Sequence, residues 1–279
     1  MDITEKYRPR KLSGVIGQTT AVHQIKRVIE SRGLAGSCWW ITGATGTGKT
    51  TIARIIASEF TDCDPFLTYE FVGRDVTVQD VRELEERIHF RPMGKGRAII
   101  INEAQDLSAA VVALLLATVE QIKLSRYDCV IFTAMKDVER LPKERATHFR
   151  ALVTRCYRPE FAETDHPVFR QDVVEFINGV AALEGIKAVD AEELCLKADW
   201  SIRDALARLD LCEREERTTQ SGQQTAGERK IVEIYRQLKG ENKIFAAQFI
   251  SRLKADWQSG KLTRQETVDK IVQMLTAIN

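Results

Sequence analysis

The sequence predicts an α/β protein: a five-stranded parallel sheet flanked by helices, followed by a region built of helices alone. Three observations carry that prediction. A glycine-rich loop, Gly43-Ala44-Thr45-Gly46-Thr47-Gly48-Lys49-Thr50, joins a short apolar run to a helical one. Five apolar segments alternate with helical patterns as far as Arg158-Pro159, as in a parallel sheet built of strand–helix–strand units. Beyond that point no strand-like run recurs, only apolar residues at helical spacing.

The first segment, Cys38–Thr42, is short, apolar and rich in β-forming residues, and it leads directly into the glycine loop. That loop satisfies G-x-x-x-x-G-K-[ST] at every specified position, and Thr51–Phe60 after it has helical periodicity. Strand, glycine loop and helix together make a phosphate-binding loop. Glycines let backbone N–H groups wrap the phosphates, and the helix N-terminus adds positive potential. Gly43, Thr45, Gly46, Thr47, Gly48, Lys49, Thr50 and Thr51 are therefore candidate nucleotide-binding residues. Lys49 is expected to reach the β- and γ-phosphates, and the Thr50 hydroxyl to hold Mg²⁺. The expected ligand is a nucleoside triphosphate, ATP, with Mg²⁺.

Thr68–Val72 reads as the second strand and Arg97–Ile101 as the third, which ends in Asn102-Glu103. In P-loop ATPases this strand normally ends in an Asp that holds the Mg²⁺ shell, and in many a Glu follows and polarises water. Glu103 is thus the candidate general base. Asn102 stands at the metal position but offers only a neutral amide oxygen, which predicts weakened Mg²⁺ binding or slow turnover. Asp128–Thr133 is the expected fourth strand and Leu152–Tyr157 the fifth. Helices follow at Val173–Glu184, Ala191–Lys197 and Ile202–Arg214, then a polar stretch, Glu215–Gly227, that reads as a linker. Three further amphipathic helices are expected at about 228–239, 243–258 and 264–278, with no fixed repeat period.

Lys+Arg of 41 against Asp+Glu of 40 leaves a net charge of +1, so no global basic field points to nucleic acid. The one local candidate is the basic loop Arg91-Pro92-Met93-Gly94-Lys95-Gly96-Arg97, suited to tracking a phosphate backbone without reading sequence. Six cysteines contain no C-x-x-C pair, so neither zinc nor a disulfide framework is expected. No run approaches the roughly 20 apolar residues of a membrane span, and Met1–Lys6 lacks the apolar core of a signal peptide. A soluble, cytoplasmic protein is expected.

Several further elements resemble the AAA+ ATPase subunits of sliding-clamp loaders, the bacterial gamma/tau subunits and replication factor C small subunits. Lys6-Tyr7-Arg8-Pro9 followed by Val15-Ile16-Gly17-Gln18 is similar to the family's N-terminal element, which implies that Tyr7, Arg8, Pro9, Val15 and Ile16 pack on adenine and ribose. Leu107-Ser108 and the helix Ala109–Glu120 resemble the stretch after the family's catalytic Glu. Thr154-Arg155-Cys156 resembles the S-R-C motif, which implies that Arg155 is an arginine finger completing a neighbouring subunit's site. Trp200-Ser201-Ile202-Arg203-Asp204-Ala205-Leu206 resembles the G-S-x-R-D-A-L element, which implies that Arg203 contacts the γ-phosphate from a helical lid. The resemblance covers residues 6–215 and implies three domains: an AAA+ nucleotide-binding domain at 1–160, a lid at 161–215 and a C-terminal helical collar at 228–279. It also implies partners, namely other clamp-loader subunits in a ring or spiral, a sliding clamp and primer–template DNA.

The departures are specific. Asn102 replaces Asp, and Thr133 and Met135 are both candidates for sensor 1. The cysteine knuckle of gamma/tau is missing, which likens the chain to compact archaeal or viral small subunits. The stretch Pro142–Arg155 is longer than expected, carries Lys143, Arg145, His148 and Arg150, and reads as a basic loop. The function implied is ATP-dependent placement of a sliding clamp on DNA during replication. The alternatives are a poorly hydrolysing ATP-binding scaffold of such a complex, or another AAA+ DNA remodeller such as a helicase loader or branch-migration motor.

Overall fold

The computed structural model describes residues 2–135, 143–186, 190–222 and 261–278, together with isolated positions between 231 and 253. The chain divides into two compact units, Met1–Cys212 and Glu213–Asn279. The first contains both the expected nucleotide-binding domain and the expected lid.

Its elements run α1 (Ile3–Lys6), α2 (Thr19–Arg32), β1 (Cys38–Thr42), α3 (Lys49–Thr61), β2 (Thr68–Val72), α4 (Val78–Ile88), β3 (Arg97–Asn102), α5 (Ala109–Leu124), β4 (Asp128–Ala134) and α6 (Lys143–Val153). The lid region adds α7 (Pro167–Glu184), α8 (Ala191–Lys197) and α9 (Ile202–Gly222). The four strands are parallel in the order β1-β4-β3-β2. Because central parallel strands are covered on both faces, they read as unbroken apolar runs. Alternate residues nevertheless go to different cores. Trp39, Ile41, Ala98, Ile100 and Ile131 meet Ile52 and Ile56 of α3, whereas Trp40, Ile99, Ile101 and Phe132 meet Leu115, Val119 and Phe149 on the other face. Phe169, Val173, Ile177, Leu194 and Leu209 of α7–α9 form a separate core, joined by Ile3 of α1.

The far end of the sheet, away from the glycine loop, is held by a buried ion pair. Arg97 and Asp128 face each other in register at the starts of β3 and β4, with Nε 2.7 Å from Oδ1. Ser125 Oγ donates to the second carboxylate oxygen. Both charges are thus hydrogen-bonded, as burial requires.

Three expectations need correction. The sheet has four strands rather than five. Phe149, Leu152 and Val153 are all buried, and their i, i+3, i+4 spacing places them on the inner face of α6, so the apolar run taken for a strand is a helix end. Only Tyr157 bridges to β1, exchanging two backbone hydrogen bonds with Cys38 and Trp40. The stretch read as a basic loop is likewise α6; the side chains of Lys143, Arg145 and His148 lie outside the described residues, and Arg150 is exposed. Finally, α9 continues to Gly222, through most of the expected linker.

In the second unit, α10 (Arg264–Ile278) occupies the last expected helix, and Ala246, Leu253, Ile271 and Leu275 form a small buried cluster. The helices expected at 228–239 and 243–258 lie outside the described residues apart from isolated positions. Among the described residues no helix is long and apolar enough to cross a membrane, and no group of three or more His, Cys, Asp or Glu is arranged to hold a metal. Burial pushes the Cys129 and Cys156 thiols up to about 12, so both remain protonated at neutral pH.

Candidate nucleotide-binding site

The glycine loop leaves β1 and turns into α3 through two residues that only glycine adopts without strain: Gly46 at φ +77° and Gly48 at φ +97°. Gly48 is the N-cap of α3. With no side chain at that position, the first N–H groups of the helix are left for a ligand. Gly46 is also needed for space, because a Cβ there would lie 1.9 Å from Ser201 Oγ. Ser201 caps α9 by accepting from the Asp204 N–H at 3.2 Å. The first turn of α9 thus sits directly against the loop.

Around the loop lies a pocket with three walls. Gly46, Thr47, Gly48, Lys49, Thr50 and Thr51 form its floor, Tyr7, Arg8, Pro9, Val15 and Ile16 one side, and Phe176, Ile202, Arg203 and Leu206 of the lid the other. The N-terminal wall is tied to the lid: Tyr7 Oη and Lys6 Nζ both reach Glu184 at the end of α7, each at 2.5 Å. The hydrogen bond to Glu184 and burial both hold the Tyr7 hydroxyl above its ordinary pKa. Gly17 meets Phe169 of α7 so closely that a Cβ would lie 2.5 Å from the ring.

The electrostatics suit a polyanion. Lys49 is 9% exposed and donates to the Ala44 carbonyl at 2.6 Å. Burial, then the nearby Arg203 guanidinium, lower its pKa to about 8, and the Glu103 carboxylate opposes the shift. Two cations, Lys49 and Arg203, line one pocket with the Glu103 carboxylate near Lys49, an arrangement that triphosphate oxygens would relieve.

The end of β3 supplies the other half of the site. Asn102 Oδ1 accepts from Thr50 Oγ1 at 3.2 Å and from Thr133 Oγ1 at 2.9 Å, while its Nδ2 donates to Glu70 Oε1 at 2.6 Å. Of the two sensor-1 candidates, Thr133 is the one that faces Asn102. Met135 is exposed and its N–H donates to Gln105. Glu103 follows in the left-handed region, φ 54°, ψ 43°, a conformation that costs a non-glycine residue on the order of 1–2 kcal/mol and tends to persist at functional positions. Gly73 allows it, since a Cβ there would lie 2.4 Å from the Glu103 carbonyl oxygen.

Most of the residues singled out in the sequence therefore converge. Two loop positions stand aside: Gly43 lines an adjoining cleft with Met135, Arg158 and Phe161, and Thr45 is exposed. Arg155 is not in the pocket. It lies on the turn after α6, with Nε on Glu120 of α5 and Nη1 on the Ala151 carbonyl. Sequence reasoning missed Thr4, Phe176, Ile202, Leu206 and Glu70. Ile202 and Leu206 bracket Arg203 at i, i+4 spacing and were legible as one helix face; Phe176 and Glu70 carry no local signal.

Comparison with known proteins finds P-loop relatives of this fold. Residues 2–140 match the TIP49 P-loop domain family. The DNA polymerase III subunit gamma of Buchnera aphidicola subsp. Schizaphis graminum is 26% identical over 237 residues, covering 75% of this chain and 60% of that protein. Replication factor C subunit 4 of Saccharomyces cerevisiae is 26% identical over 214 residues, covering 74% of this chain and 61% of that protein. The Thermotoga maritima RuvB Holliday junction branch migration motor superposes with a TM-score of 0.57 at 20% identity, covering 96% of this chain and 90% of that one. This chain has the AAA+ P-loop fold. Its homologues are DNA polymerase III gamma and gamma/tau and replication factor C subunits. The chain spans 60% and 61% of the Buchnera gamma subunit and of the yeast subunit, and 31% and 37% of the gamma/tau and archaeal small-subunit relatives, and the RuvB likeness speaks to fold alone.

Proposed function

We propose that the AAA+ chain is an ATP-driven subunit of a sliding-clamp loader, acting in the cytoplasm with sister subunits, a ring-shaped clamp and primer–template DNA. The observation that carries the reading is the three-walled pocket. ATP placed on the loop would touch the N-terminal element and the lid at once, so its binding and loss would set the lid's position. In this reading Tyr7, Arg8, Pro9, Val15 and Ile16 cradle the base and ribose, Lys49 and Arg203 hold the phosphates, and Glu103 takes the proton of the attacking water. Thr50 and Asn102 present two hard oxygens, the donor type Mg²⁺ prefers. When bound, Mg²⁺ neutralises charge on the β- and γ-phosphate oxygens. Arg155, turned away from its own pocket, acts on a neighbour's γ-phosphate, so a lone chain hydrolyses slowly. Residues 228–279, within the second unit, serve as the collar that assembles the subunits.

A second reading rests on Asn102: with an amide where the metal carboxylate is normally found, the chain binds ATP but hydrolyses little, and serves as a scaffold. The test is clamp loading onto primed circular DNA by the reconstituted assembly, with ATP, with ADP, and with a Glu103→Gln chain. Loading that needs ATP and is retained by Glu103→Gln supports the scaffold. Loading lost in that variant supports the motor. Turnover stimulated by a Holliday junction but not by clamp and primed DNA would replace both with a branch-migration motor.

A further inference from the structure

We propose that Glu70 is a positioning residue for the metal half of the site: it fixes the Asn102 amide with Oδ1 toward Thr50 and sets a negative charge beside that neutral amide. The inference rests on the nucleotide-binding reading above and deepens it.

A carboxylate only accepts, so the group 2.6 Å from Glu70 Oε1 must be the amide nitrogen of Asn102. With the amide turned over, two acceptors would meet at that distance. Oδ1 therefore faces the other way, where the Thr50 and Thr133 hydroxyls donate to it. Glu70 is itself held: Arg54 of α3 bonds both its oxygens, with Nε 3.0 Å from Oε2 and Nη2 3.1 Å from Oε1. One amide thus joins α3 through Thr50, β2 through Glu70 and β4 through Thr133. Sheet register makes this possible. β2 is the edge strand beside β3, with Val72 opposite Asn102, so a long side chain two residues back on β2 reaches forward to the strand end.

The same geometry says why Asn occupies position 102. An Asp there would set two carboxylates 2.6 Å apart, with one arginine to share. Amide and carboxylate form a matched pair, and the negative charge normally found on β3 stands one hydrogen bond away on β2. Partners at this remove that orient a metal ligand commonly change metal affinity 10- to 100-fold when altered.

The experiment uses the full chain and two readouts that need no turnover. Binding of a fluorescent ATP analogue is titrated with Mg²⁺, and unfolding of the nucleotide-free protein is followed with temperature. The chains are wild type, Glu70→Gln, Asn102→Asp and the double variant. Glu70→Gln is expected to raise the Mg²⁺ concentration for half-maximal binding about ten-fold or more. Asn102→Asp is expected to lower the melting temperature, and the double variant to recover it with a Mg²⁺ requirement no higher than wild type. An unchanged requirement in Glu70→Gln, or an Asn102→Asp chain as stable as wild type and improved in Mg²⁺ binding, overturns the proposal. A wild-type chain that fails to bind the analogue would sink the proposed function instead, and the melting temperatures alone would then decide the Glu70–Asn102 pairing.

Discussion

Replacing Lys49 by Met is expected to stabilise the nucleotide-free protein while abolishing ATP binding. The lysine is buried beside Arg203, and its pKa falls from 10.5 to about 8. At roughly 1.36 kcal/mol per unit, holding that charge in the folded state costs about 3 kcal/mol. The sign follows from linkage. A folded-state pKa below the unfolded value means that the cost is fully present below about pH 8. It shrinks as pH rises toward 10.5, because only the unfolded chain is then still protonated. Lys49→Met removes the cost at every pH. In urea denaturation the variant should therefore exceed wild type by up to about 3 kcal/mol at pH 7, less the hydrogen bond to Ala44, and the gap should close above pH 10. For a unit of this size 1 kcal/mol corresponds to roughly 2–4 °C, so the difference is readily seen in a melt. Saturating Mg·ATP should reverse the order, since only wild type gains binding energy. A variant less stable than wild type at pH 7, or a gap independent of pH, would refute the reasoning.

Other expectations follow from the same geometry. Asp128→Ala leaves Arg97 buried and unpaired, and should cost about 3–5 kcal/mol in urea denaturation. Gly46→Ala drives a Cβ into Ser201 and should weaken ATP-analogue binding at least ten-fold. Gly33→Ala, at φ +75° and ψ -173°, a region essentially only glycine enters, but with open space around it, should lose about 1–3 kcal/mol of stability and keep its nucleotide affinity. Arg155→Ala breaks a solvent-accessible pair with Glu120 and a hydrogen bond to the Ala151 carbonyl, together worth on the order of 1 kcal/mol. Melting temperature and ATP binding by the isolated chain should hardly change, whereas turnover by the assembly should fall about a thousand-fold or more.

What the sequence disclosed and what it hid have physical causes. The phosphate loop was legible because its demands are local: left-handed glycines, a preceding strand and a following helix all lie within Cys38–Phe60. Central strands were legible because burial on both faces leaves unbroken apolar runs such as Ala98–Ile101. The same habit misled at Leu152–Tyr157, where the helical spacing of Phe149, Leu152 and Val153 was the better signal. Asn102 could be recognised as a departure, but not its remedy. Glu70 is an ordinary outward-facing strand residue until register sets β2 beside β3, and nothing near position 70 announces that pairing. Thr133 could be separated from Met135 only once β4 was seen beside β3, with its hydroxyl on Asn102.

Whether this pocket hydrolyses ATP when its partners are present decides between motor and scaffold. ATP turnover should be measured for the purified chain alone and then with primer–template DNA and the cognate sliding clamp, using Glu103→Gln as the blank. Slow turnover alone, strong stimulation by DNA and clamp together, and loss of both in the variant is the predicted result. ATP binding with no turnover above the blank under any condition would contradict the motor and leave the scaffold.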